Sequence, residues 1–130
     1  MSEPFDGKAV LVVDDDHDIL TAIEMTFKDA GAEVMTATDG TTASTMAQEK
    51  SPDLIVLDAM LPQRSGFLVL EKLKAKKPRG SKPYIIMITG NTGKRHQMWA
   101  ESLGADDYIN KPFRMERLVE SARNLLGKDQ

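Results

Sequence analysis

Acidic side chains stand at the ends of two apolar runs, and they are the groups most able to do chemistry in this chain. Val10-Leu11-Val12-Val13 runs directly into Asp14-Asp15-Asp16, and Leu54-Ile55-Val56-Leu57 runs into Asp58. Two further apolar runs end in complementary groups: Tyr84 to Ile88 leads to the hydroxyl of Thr89, and Tyr108-Ile109-Asn110 leads to the ammonium of Lys111. Carboxylates gathered from neighbouring segments repel unless protons or a cation reduce their charge. A hard divalent ion, Mg²⁺ or Mn²⁺, suits an all-oxygen set of one or two carboxylates, water and phosphate. An aspartate can also attack phosphorus, and the charge on the transferred group then calls for a metal, an ammonium and a hydroxyl. Thr89 and Lys111 offer the last two. With no cysteine in the chain, thiol nucleophiles, thiolate metal sites and disulfides are excluded.

The elements that must position these groups follow from periodicity. Short apolar runs without alternation, as expected of strands covered on both faces, alternate with longer segments of helical period. Ile19, Ile23 and Phe27 recur every fourth residue, and Gly31 can close that helix near Ala30. The more polar Glu33-Val34-Met35-Thr36-Ala37 reads as an edge strand. Ala43, Met46 and Ala47 mark a small helix from Gly40 to about Lys50, and Phe67, Leu70 and Leu73 mark a third. Between about Gly93 and Leu103 the apolar residues disagree, because Met98 predicts one buried face while Trp99 and Leu103 predict another. Leu118, Val119, Ala122, Leu125 and Leu126 form the stripe of a last helix. Five strands alternating with five helices imply an α/β fold with a parallel sheet covered on both faces. In such sheets functional groups collect beyond the carboxyl ends of the strands, where strand order reverses. Asp14, Asp15, Asp58, Thr89 and Lys111 all fall there.

Composition narrows the function. A chain of 130 residues with 41% hydrophobic content fits one domain, spanning 1–130 with its core at about 8–127. Seventeen basic against twenty acidic residues leave a net charge of −3, which carries no general attraction to nucleic acid or to an anionic membrane. No apolar run approaches the roughly 20 residues of a membrane helix. The start, Met1-Ser2-Glu3-Pro4-Phe5-Asp6, lacks the features of a signal peptide, so a cytoplasmic location is expected.

Taken in order, several fragments resemble the receiver domain of two-component response regulators. They are Val12-Val13-Asp14-Asp15; the run from Asp53 through Asp58 to Pro62, with Gly66 beyond; Ile88-Thr89; and the run from Gly104 to Phe113. The resemblance covers about residues 8 to 127. It implies a flavodoxin-like, doubly wound sheet of strand order 2-1-3-4-5, in which Asp58 accepts a phosphoryl group from a sensor histidine kinase, a phosphotransfer protein or a small phosphodonor. Asp15 would then bind Mg²⁺ directly, Asp14 mainly through water, and the backbone carbonyl of Met60 would be a further ligand. Thr89 would be the hydroxyl that moves toward the phosphoryl group, Lys111 its counterion and Tyr108 the coupled aromatic switch. The Lys111–Pro112 bond is the candidate for a cis peptide. The resemblance further implies self-catalysed phosphorylation and dephosphorylation, a downstream protein target or output domain, and room for a phosphorylation-dependent dimer. Two positions depart from the family's commonest pattern: Gly90 after Thr89, where a more mobile loop is expected, and Ser65 before Gly66, while Met60 and Asn91 occupy places that tune dephosphorylation in the family.

Two other functions fit part of the pattern. A small phosphatase resembling the haloacid dehalogenase family would use Asp14 and Asp16 as nucleophile and general acid, with Thr89, Lys111 and the Asp106-Asp107 pair as accessories. A receiver-like binding module indifferent to phosphorylation would need none of these groups. Asp16 also reads as a helix cap, and His17 and His96 as surface residues. Lys72, Lys74, Lys76, Lys77, Arg79 and Lys82 read as a solvated basic face far from the acids. Trp99 could face outward on its helix or be buried.

Overall fold

The computed structural model describes residues 3–75, 77–78, 80–90 and 93–127. Its strands are β1 (Ala9–Val13), β2 (Glu33–Ala37), β3 (Leu54–Asp58), β4 (Tyr84–Thr89) and β5 (Asp107–Asn110). Its helices are α1 (His17–Asp29), α2 (Gly40–Lys50), α3 (Gly66–Lys74), α4 (Lys94–Ser102) and α5 (Met115–Leu126). All strands are parallel, in the order β2-β1-β3-β4-β5, so β2 is an edge and the order reverses between β1 and β3.

The continuous apolar runs are buried because each strand has a helix layer on both sides. Val10, Val12, Val56, Ile86 and Ile88 point to one face, with Ile23 and Phe27 of α1 and Leu118 and Ala122 of α5. Leu11, Val13, Ile55, Leu57 and Met87 point to the other, with Ala43 and Ala47 of α2, Phe67 and Leu70 of α3 and Ala100 of α4. The strand period of two residues divides one run between two cores.

Helix α4 differs from the pattern expected of it. Met98 is 67% exposed, and the buried residue is Ala100. Two positions separate them, about 200° around a helix, so both cannot face the sheet. Trp99 lies between these extremes, 48% exposed, with its ring stacked on Phe67 of α3 at a centroid distance of 4.3 Å.

The basic segment after α3 also departs from a purely solvated face. Lys74 is buried and pairs with Asp106 at 3.0 Å, while donating to the Ser81 carbonyl at 2.8 Å. Asp106 in turn accepts the amide of Ile85 at 2.8 Å. Lys82 pairs with Asp53 at 3.0 Å, and Asp53 accepts the amide of Ala9 at 2.8 Å. These acids satisfy amides where β1 and β4 begin, and each carries its own lysine. The Lys74–Asp106 pair is the buried one, and charges so buried are tolerated only when paired and hydrogen-bonded. Lys72 and Lys77 are exposed as expected, and Lys76 and Arg79 lie outside the described residues.

Breaking this buried pair from the acidic side isolates an ammonium. Asp106→Ala is expected to lower unfolding stability by about 2–4 kcal/mol in urea denaturation, whereas Lys72→Ala changes it by less than about 0.5 kcal/mol.

Candidate functional site

At the carboxyl end of the sheet the strands deliver their polar residues together. Asp14 follows β1, Asp58 ends β3, Thr89 ends β4 and Lys111 follows β5. The register brings Asp58 beside Ile88 and Thr89 beside Asn110, and the Lys111 amide donates to the Thr89 carbonyl at 2.7 Å. Asp14 and Asp58 are buried, and Asp15 is exposed at the rim. One oxygen from each of these three carboxylates lies within 4.8 Å of the others. The Lys111 Nζ donates to Asp14 Oδ2 at 3.1 Å and reaches Asp58 Oδ2 at 3.5 Å. Thr89 is buried at the same end.

Local backbone contacts aim the acids. The Asp16 amide donates to Asp14 Oδ1 at 2.9 Å, and the Met60 amide donates to Asp58 Oδ1 at 3.1 Å. Each buried carboxylate thus has one oxygen on a backbone amide and the other toward Lys111. Asp16 caps α1, accepting from the amides of Asp18 and Ile19 at 3.0 and 3.3 Å. Ser65 caps α3 by accepting the Leu68 amide at 3.4 Å. Tyr108 is buried with Met87 and Ala100. Its hydroxyl meets no well-aligned partner among the described residues; burial pushes its phenol pKa up, and nearby Thr89 pulls it down. The Lys111–Pro112 peptide is cis, and so is Lys82–Pro83, for which the sequence carried no expectation. Asn91 lies outside the described residues.

Electrostatics at this end are unbalanced. Burial, reinforced by the charge of Asp14, pushes the Asp58 carboxyl from its ordinary 3.8 up to about 6, against the Met60 amide and the Lys111 charge, which pull it down. Burial also works against the Lys111 ammonium, but the hydrogen bond to Asp14 and the charges of Asp58 and Asp14 hold its pKa above the ordinary value. One ammonium does not compensate three carboxylates. Hard oxygen donors at this spacing, with one of them pressed toward protonation, fit a divalent cation.

The geometry leaves no free set of acids for the phosphatase alternative. Asp16 is engaged in capping α1. Asp106 is paired with Lys74 at the opposite end of the sheet, and Asp107 is held by Arg117 at 3.1 Å and by Ser121.

Residues 10–123 match the response regulator receiver domain family. The chain belongs to that family. It is 35% identical over 124 residues, 95% of its length, to the alkaline phosphatase synthesis transcriptional regulatory protein PhoP of Bacillus subtilis. It is 34% identical over 119 residues, 92% of its length, to the DNA-binding dual master transcriptional regulator RpaA of Synechocystis. The chain spans about half the length of these curated relatives, 50% and 49%. Among solved structures it resembles the receiver domain of Francisella response regulator 1452, with a TM-score of 0.86 at 27% identity, covering 95% of this chain and 100% of that one. It also resembles a CheY-like receiver domain from Methanospirillum hungatei, with a TM-score of 0.85 at 30% identity, covering 93% and 94%. Receiver domains of transcriptional response regulators are phosphoacceptor switches of two-component systems, and they bind Mg²⁺ in an acidic pocket. No helix among the described residues of this receiver domain is long and apolar enough to cross a membrane.

The raised carboxyl sets the sign of a pH dependence. A group with a higher pKa in the folded state stabilises the fold below its unfolded pKa, and that contribution is lost as pH rises through the folded value. In metal-free buffer near pH 7.5, Asp58→Asn is therefore expected to be more stable than the parent by roughly 1–3 kcal/mol. The advantage should shrink as pH falls through about 6 and vanish near 3.8, as read from urea midpoints across the range.

Proposed function

We propose that residues 1–130 act as one receiver domain, with its core at about 8–127, in which Asp58 accepts a phosphoryl group from a phosphohistidine donor. The observation that carries this reading is the meeting of Asp14, Asp15 and Asp58 oxygens within 4.8 Å, with Lys111 bridging the two buried acids. Asp58 offers the nucleophile, since its Oδ2 faces Lys111 while its Oδ1 is steadied by the Met60 amide. An oxygen–phosphorus bond forms as the phosphorus–nitrogen bond to the donor imidazole breaks, and the imidazole keeps the electron pair. Lys111 then pairs with the phosphoryl oxygens, and the Thr89 hydroxyl donates to them.

Asp15, Asp58, the Met60 carbonyl and, mainly through water, Asp14 would hold Mg²⁺ or Mn²⁺. When bound, such an ion offsets carboxylate repulsion and withdraws charge from phosphoryl oxygens. Thr89 leaves its resting place to reach the phosphoryl group, and Tyr108 repacks in the space beside β4 and β5, altering the surface of α4, β5 and α5. The domain in this reading accelerates only its own phosphorylation and the later hydrolysis of the acyl phosphate. Its donor is a sensor histidine kinase or phosphotransfer protein, met in the cytoplasm. A largely apolar hollow of about 450 Å³ beside the site, with Ile19, Ala22, Pro112, Phe113 and Met115 in its lining and Asp18 and Lys111 as its charged members, gives that donor a face to rest on. The readout is a downstream protein target or output domain.

Incubation with acetyl phosphate and Mg²⁺ is expected to add the mass of one phosphoryl group, localised to Asp58 by reductive trapping. Asp58→Ala and removal of the divalent ion with EDTA should each abolish the gain, and Lys111→Ala should slow it about 10- to 100-fold. Labelling at Asp14 instead, or steady turnover of ordinary phosphomonoesters, would return the phosphatase reading.

A further inference from the structure

The start of α2 is built against the loop that follows Asp58. Gly40, the first residue of α2, is buried, and its amide donates to the Pro62 carbonyl at 3.2 Å. A Cβ at this position would overlap the carbonyl oxygen of Arg64 and stand 2.7 Å from its carbonyl carbon. Both are backbone atoms, so no change of rotamer could relieve the contact. The backbone of Gly40 is not left-handed, and what glycine supplies here is space.

The loop it touches has little freedom to retreat. Pro62 also accepts the Arg64 amide at 2.7 Å, and Gln63 between them holds φ at 71°, a region that residues with a side chain seldom adopt. At the far end of the loop, Gly66 donates to the Ala59 carbonyl at 2.9 Å, and a Cβ there would overlap the Asp58 carbonyl oxygen. The segment from Ala59 to Ser65 is thus held between two close backbone contacts. Within it lies Met60, whose amide steadies Asp58 Oδ1 at 3.1 Å.

We infer that Gly40 is a positioning residue for the phosphoryl and metal site. By letting α2 seat directly on Pro62 and Arg64, it fixes the loop that sets Met60 against Asp58. This rests on the receiver chemistry proposed at Asp58.

The test compares Gly40→Ala with Asp39→Ala. Asp39 caps α2 through the Thr42 amide at 2.7 Å, so its removal loosens the same helix end without adding an atom against the loop. Gly40→Ala is expected to weaken Mg²⁺ affinity and slow labelling of Asp58 by acetyl phosphate by about tenfold or more. Asp39→Ala should lower the melting temperature yet keep both properties near the parent's. Equal chemistry in Gly40→Ala and parent overturns the positioning role, as does an equal loss in Asp39→Ala. A parent that neither binds Mg²⁺ nor takes the label overturns the receiver chemistry itself. Should Gly40→Ala not fold, the parent answers by NMR: Mg²⁺ should shift the Gly40 and Arg64 amides with the same midpoint as Met60, and a silent Gly40 overturns the inference.

Discussion

Two buried carboxylates facing one ammonium are the constraint around which this domain is organised. Asp14 and Asp58 arrive from adjacent strands, and Lys111 lies 3.1 and 3.5 Å from their oxygens. One positive charge holds them in place without cancelling them, and burial, reinforced by the charge of Asp14, pushes the Asp58 carboxyl up to about 6. A site left short of positive charge suits a divalent ion, whose charge would offset the crowded carboxylates. The central strands β1, β3 and β4 can be almost wholly aliphatic because their polar duties are moved to their ends.

The two ends of the sheet handle charge in opposite ways. At the amino end, Asp53 and Asp106 each accept a backbone amide and each have a lysine of their own. At the carboxyl end, Asp14 and Asp58 share one lysine, and Asp15 stands beside them at the rim. Glycines mark where backbone must approach backbone near the second set: Gly66 against Asp58, and Gly40 against Arg64. Local helix caps complete the division of labour. Asp16, Asp39 and Ser65 each satisfy amides at a helix start, leaving the deeper acids free of that task.

Much of this was legible in the residues. Uninterrupted aliphatic runs ending in Asp14, Asp58, Thr89 and Lys111 placed the polar groups at one end of a parallel sheet, because strand direction and burial leave little choice. The edge position of Glu33–Ala37 and the caps at Asp16 and Gly31 were equally local signals. Helix α4 was less legible: in nine residues its sheet-facing side is defined by the small Ala100, and the large apolar residues Met98, Trp99 and Leu103 pointed to two different faces. The buried Lys74–Asp106 pair was hidden because its partners are 32 residues apart and Lys74 sits in a sequence rich in cations. Gly40 read as an ordinary helix start, since what requires glycine there is the carbonyl of Arg64, a contact made only in three dimensions.

The ion pairs beneath the sheet have a mechanical meaning. Asp53 and Asp106 tie the entrances of β1 and β4 to Lys82 and to Lys74 of α3, partners 29 and 32 positions away along the chain. A strand entrance therefore cannot shift without pulling a hydrogen-bonded charge from its counterion, which fastens distant stretches of sequence to one another at the base of the sheet.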